Sequence, residues 1–153
     1  MKTMMASYQT TPYSLEPGKG RKLDWRGAEV VAKATTEQTG GMFNLFEMIC
    51  PAGFATSLDI HYVEDIAVFV LEGTLTFFWG EERKEAISGS YFYQPRGVPH
   101  GFRVNENAPA KILYMSLPAG MDRFIVGCGD VATCDSSITA AQYKIETLSP
   151  LPE

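Results

Sequence analysis

The sequence predicts an all-β domain, an antiparallel barrel or sandwich. Glycine and proline recur roughly every eight to ten residues through the middle of the chain, as turn punctuation does. The short runs between them are rich in aliphatic, β-branched and aromatic residues. A helical period is almost absent before the last quarter of the sequence. At 153 residues the chain is long enough for one ordinary domain and too short for two comfortable ones.

Residues 1–12, rich in Met, Thr, Ser and Tyr, are expected to be a mobile arm, followed by a barrel over 13–128 and a tail over 129–153 that packs on it. The first strand expected is Glu29 to Thr35, and the second is Phe43 to Ile49, which alternates apolar and polar over part of its length. Ile66 to Leu71 and Thr74 to Trp79 read as two strands joined at Glu72-Gly73, where glycine tolerates the positive φ of a tight turn. Gly80-Glu81-Glu82 makes the next turn, and Ser90 to Gln94 and Lys111 to Leu117 supply further strands. Met121 to Val126 and Ile138 to Tyr143 each suit one short turn of helix.

Composition removes several classes of function. The chain is 45% hydrophobic and 12% aromatic, enough apolar surface to oppose intrinsic disorder. Eighteen acidic against thirteen basic side chains leave a net charge of -5, with no Lys/Arg cluster to meet nucleic-acid phosphates. The apolar run Ile66 to Leu71 is far too short to span a bilayer, and Met1 to Ala6 lacks the apolar core of a secretory signal. The expected location is therefore cytoplasmic. Cys50, Cys128 and Cys134 are odd in number and form no CxxC pair, so they are expected as ordinary thiols rather than disulfides or a zinc knuckle.

Two stretches carry a more specific signal. Gly53 to Gly73 reads GFATSLDIHYVEDIAVFVLEG, and Gly89 to Asn105 reads GSYFYQPRGVPHGFRVN. Together they resemble the two signature motifs of the cupin superfamily: Gly53, Gly73, Gly89, Pro95, Gly97 and His100 fall at the family spacing, with fifteen residues between the motifs. Pro17-Gly18 through Thr39-Gly40-Gly41, Pro118-Ala119-Gly120 with Arg123-Phe124, and Ala141 to Glu146 are similar to single-domain cupins of the quercetin-2,3-dioxygenase-like group. The resemblance implies a double-stranded β-helix, a jelly-roll-like barrel with a short C-terminal helical segment, a small-molecule pocket in its mouth, and a homodimer. It also implies a divalent metal (Fe, Mn, Ni, Cu or Zn) held by two His and a Glu of the first motif and a His of the second.

The sequence departs from that ligand set. The first His position holds Asp59, the second keeps His61, the Glu position holds Ile66, and the last keeps His100; the family Asn position holds Val104. Asp59, His61 and His100 still make a two-histidine, one-carboxylate set of the kind that binds non-haem iron, although the Asp oxygen reaches less far from its backbone. Without metal, the same three residues are acid–base equipment for neutral pH. Asp59, flanked by Leu58 and Ile60, needs a partner if buried, with His61, His100 or a water as candidates. By strand alternation Asp65 faces away from Ile66, whereas Glu64 shares the parity of Ile66 but is near the turn.

Phe46, Ile66, Phe77, Trp79, Phe92 and Tyr114 are the expected substrate-binding wall, suited to a hydrophobic or aromatic small molecule. Arg96 and Arg103 flank His100, either solvated or facing an acidic ligand group. The favoured reading is proton-transfer chemistry of isomerase, lyase or cyclase type by Asp59, His61 and His100. The alternatives are a metal-dependent quercetinase-like dioxygenase and a cupin that binds a small ligand without turnover.

Overall fold

The computed structural model describes residues 10–127 and 142–153. The elements in chain order are β1 (Arg21–Trp25), β2 (Ala28–Ala34), α1 (Thr36–Thr39), β3 (Asn44–Cys50), β4 (Ser57–His61), β5 (Asp65–Glu72) and β6 (Leu75–Trp79). They continue with β7 (Glu82–Ala86), β8 (Tyr91–Gln94), β9 (His100–Val104), β10 (Ala110–Leu117), α2 (Met121–Gly127) and β11 (Ile145–Pro150). Two antiparallel sheets result, a six-stranded one in the order β1-β2-β3-β10-β5-β8 and a five-stranded one in the order β11-β4-β9-β6-β7. This is the all-β double-stranded β-helix expected, with a short helix near the C-terminus.

Alternation explains which side chains are inside. Along β10, Ala110, Ile112, Tyr114 and Ser116 are buried while Lys111, Leu113 and Met115 are only half-buried. Along β5, Ile66, Val68 and Val70 are buried and Phe69 is exposed. The inward residues of both sheets merge into one cluster that includes Phe46, Met48, Ile66, Phe77, Phe102 and Ile112. Phe46, Ile66, Phe77 and Ile112 have no exposed surface, and burying each side chain contributes about 1.5–3 kcal/mol.

Two glycines set how closely the strands approach. Gly73, at φ 88°, makes the predicted β5–β6 turn, and a Cβ there would lie 2.7 Å from the Pro109 carbonyl oxygen. At Gly101 a Cβ would lie 2.5 Å from the Ser57 carbonyl oxygen and 2.7 Å from Leu151 Cδ2. Only a residue without a side chain lets β9 close on β4, which puts His100 opposite Asp59.

The expected strands from 29, 43, 66, 74, 90 and 111 all form, within a residue or so at each end, as does the helix from Met121. Six elements carried no sequence expectation as such, β9 among them. β7 (ERKEA) is an exposed edge strand whose charges discourage further pairing, so it lacks apolar alternation. β1 is an edge strand for which the same reasoning holds. α1 is opened by a capping box from Thr35 to Gln38 and closed by Gly40 in the left-handed conformation, a signal present in the sequence. β4 alternates a polar, inward-facing Asp59 and His61 with apolar neighbours, the reverse of the usual pattern. β11, in the segment expected only to pack as a tail, pairs edge-on with β4.

The loop after β10 is fixed by buried polar groups. Asn44 Oδ1 accepts from Gly120 N at 2.9 Å and Ser116 Oγ at 3.3 Å, and Asp122 accepts from Thr36 N at 2.8 Å. Most of the expected N-terminal arm, most of the expected helical turn at Ile138, and Cys128 and Cys134 lie outside the described residues. Cys50 is a buried free thiol, as expected, and burial pushes its pKa up to about 12. Among the described residues no helix is long and apolar enough to cross a membrane.

Candidate active site

Pairing across the five-stranded sheet lays out one row of side chains: Thr147 opposite Asp59, Asp59 opposite His100, His100 opposite Trp79, and Trp79 opposite Glu82. Residues directly opposite each other share a face, so this row lies together. His61, two residues beyond Asp59, shares that face. The rings of His61 and His100 stack with centroids 5.0 Å apart and planes 18° from parallel, both buried at 5% and 6% exposure. The two histidines therefore converge inside the barrel.

His100 has a defined tautomer. Its Nδ1 lies 3.0 Å from the Val98 carbonyl oxygen, which only accepts, so Nδ1 carries the proton and Nε2 the lone pair. Burial, and then the neighbouring His61, lower its pKa to about 4 against the opposing pull of the Val98 carbonyl and Asp59. At neutral pH this imidazole is an uncharged base.

The structure adds Glu64 to the predicted set. It sits in the turn between β4 and β5, only 4% exposed, with Oε2 3.4 Å from His61 Nδ1. Neither of these two buried atoms has a hydrogen-bond partner, and a Cβ added at Gly120 would lie 3.5 Å from Glu64 Oε1. Its parity with Ile66 was the sequence signal. Asp65 faces outward as alternation predicted and binds Arg96, whose hydrogen bonds hold its pKa down at about 2.

Asp59 finds partners other than those expected. Its Oδ1 accepts from Ser57 Oγ at 2.8 Å and from Thr147 Oγ1 at 2.8 Å, so the carboxylate is satisfied by two hydroxyls rather than by an imidazole. Its charge still reaches the site, since it favours the charged form of His100. Tyr114 packs on Phe46 with centroids 6.2 Å apart; burial, Glu64 and Asp59 all raise its pKa, so its hydroxyl stays protonated.

The expected substrate wall divides in two. Phe46, Ile66 and Phe77, at 0% exposure, are closed core packing and offer a ligand no surface, because neighbouring side chains fill the space around them. Trp79 and Phe92 instead line an apolar cavity of about 190 Å³ with Tyr93, Gln94, Pro95 and Val98. Arg103 lies over the Phe78 ring and donates to the Pro152 carbonyl, so it is engaged away from the site.

The metal implied by the resemblance does not fit these donors. Among the described residues no three His, Cys, Asp or Glu side chains come together as a metal site. The set Asp59, His61 and His100 is not assembled because Asp59 is turned to Ser57 and Thr147, and the usual carboxylate position is filled by the buried Ile66.

Comparison with known proteins agrees with the fold and the motifs. Residues 46–116 match the family model described as Cupin domain. Over 103 residues the chain is 28% identical to quercetin 2,3-dioxygenase of Bacillus subtilis (strain 168), covering 67% of this chain and 31% of that protein. The chain thus spans about a third of that relative's length. Among solved structures, the polyketide cyclase RemF from Streptomyces resistomycificus superposes with a TM-score of 0.62 at 18% identity, covering 70% of this chain and 80% of that one. KdgF from Halomonas sp. gives 0.61 at 18% identity, over 74% and 99%. With glycine-framed motifs, paired antiparallel sheets and these matches in agreement, residues 46–116 match a cupin domain, and the chain is distantly similar to quercetin 2,3-dioxygenase.

Proposed function

We propose that this protein is an enzyme that moves protons on a hydrophobic or aromatic small molecule, in chemistry of isomerase, lyase or cyclase type. The observation that carries this reading is the buried, stacked pair of imidazoles, one of them a neutral base at its Nε2. His100 Nε2 takes a proton from a carbon beside a substrate carbonyl, and the C–H electron pair passes into the enolate. His61, whose Nδ1 lies 3.4 Å from Glu64 Oε2, returns a proton at oxygen or at a second carbon. Asp59 stabilises the imidazolium formed at His100. No oxidant is consumed, and exchange with solvent restores both histidines. The dioxygenase alternative draws on the distant sequence similarity, whereas the donors among the described residues do not assemble a metal centre.

The test is hydrogen–deuterium exchange. Aromatic and aliphatic enolisable ketones are incubated with the protein in D₂O, and loss of the C–H signal is followed by proton NMR. Exchange above the buffer rate is expected for the wild type and is lost in His100→Gln, with Glu64→Gln reduced by about 100-fold. Exchange undiminished in His100→Gln would remove the reading.

A further inference from the structure

Gln94 is the last residue of β8, opposite Ile66 on β5, and is 6% exposed. Its Nε2 is a buried donor with no hydrogen-bond partner, whereas the other buried side-chain amide among the described residues, Asn44, is bound at both ends. Leaving such a donor unpaired is unfavourable, so its place beside a cavity points to a partner supplied from outside. Gln94 lines the cavity of about 190 Å³ whose other walls are Trp79, Phe92, Tyr93, Pro95 and Val98. The Trp79 indole N–H is already committed to Glu82 Oε2 at 3.1 Å, and Pro95 and Val98 offer only apolar side chains. Trp79 and Phe92 pack with ring centroids 5.9 Å apart and give the cavity an aromatic wall.

Size limits what fits. A protein cavity of about 150 Å³ accommodates benzene, so this one, open on one side, has room for one aromatic ring. The cavity adjoins the histidines: Trp79 is opposite His100 in the β6–β9 ladder, and the Val98 carbonyl holds His100 Nδ1.

We propose that this cavity binds one aromatic ring of the ligand, with a carbonyl oxygen attached to that ring accepting a hydrogen bond from Gln94 Nε2. Gln94 is thereby the residue that selects an aryl ketone over a hydrocarbon of the same shape. The inference rests on the proton-transfer reading only for the claim that this ligand is turned over; binding is tested by itself.

The probes are acetophenone and α-methylstyrene, which differ by exchange of the carbonyl oxygen for a methylene. Affinity is read from the Trp79 indole N–H signal in a nitrogen–proton NMR titration, assigned with Trp79→Phe. Acetophenone is expected to bind the wild type about fivefold more tightly, the worth of one hydrogen bond. Gln94→Leu and Gln94→Met, which remove the unpaired donor without a large change of volume, bring the two affinities within about twofold of each other. Equal affinities in the wild type, no shift of the Trp79 signal with either probe, or an unchanged preference in a folded Gln94 variant would each overturn the proposal. His100→Gln is expected to lose exchange while keeping the acetophenone preference. Exchange that persists in His100→Gln beside a Gln94-dependent preference would sink the proton-transfer reading and leave this one standing.

Discussion

Replacing His100 with Gln should make the protein less sensitive to acid, and the structure sets the size of the effect. The ordinary imidazole pKa of 6.5 falls to about 4 at His100, so between those values the unfolded chain binds a proton that the folded one refuses. Stability therefore declines as pH falls through this window and levels off below it. At about 1.4 kcal/mol per pH unit, the whole linkage is worth about 3 kcal/mol, of which about 2 kcal/mol is lost between about pH 7 and about pH 4.5. Glutamine can still donate to the Val98 carbonyl and cannot titrate. Urea denaturation followed by tryptophan fluorescence, at several pH values across that range, measures both proteins. Carboxylate titration is common to the two, so the difference of their slopes isolates the imidazole. The variant should lose about 2 kcal/mol less than the wild type over this range. An equal loss in both would refute the argument that burial and His61 keep His100 neutral.

Two further outcomes test the architecture around it. Gly101→Ala should destabilise the protein by about 2 kcal/mol and shift the His100 ring resonances, because the new methyl group meets the Ser57 carbonyl oxygen at 2.5 Å; calorimetry and NMR measure the two effects. The double variant Asp59→His with Ile66→Glu should purify with about one equivalent of a divalent transition metal per chain after growth with added metal, and the unmodified protein with less than about a tenth, by elemental analysis.

Much of the candidate site was legible because strand periodicity and turn glycines are local. The resemblance to the cupin motifs placed His61, His100 and Ile66 inward, alternation placed Asp65 outward, and each lies on the expected side. Glu64 was harder to place. A residue in a turn has no period to assign it a face, and its burial beneath Gly120 depends on a loop held by Asn44. Phe46 and Phe77 illustrate a different limit: alternation says that a side chain points inward, but only the packing of its neighbours says whether any space remains beside it.

The sequence by itself determined the antiparallel β architecture and the turn at Gly73, and its resemblance to the cupin motifs put two histidines in register with no carboxylate at position 66. The architecture and the turn follow from interactions between residues a few positions apart, which leave their period in the chain. The tertiary structure decided what the site residues touch. Thr147 reaches Asp59 across 88 positions of sequence, and the stacking of His61 on His100 needs β4 and β9 side by side. Contacts of that range are made by the closing of sheets, and no local pattern encodes which hydroxyl, ring or empty space will stand opposite a given side chain.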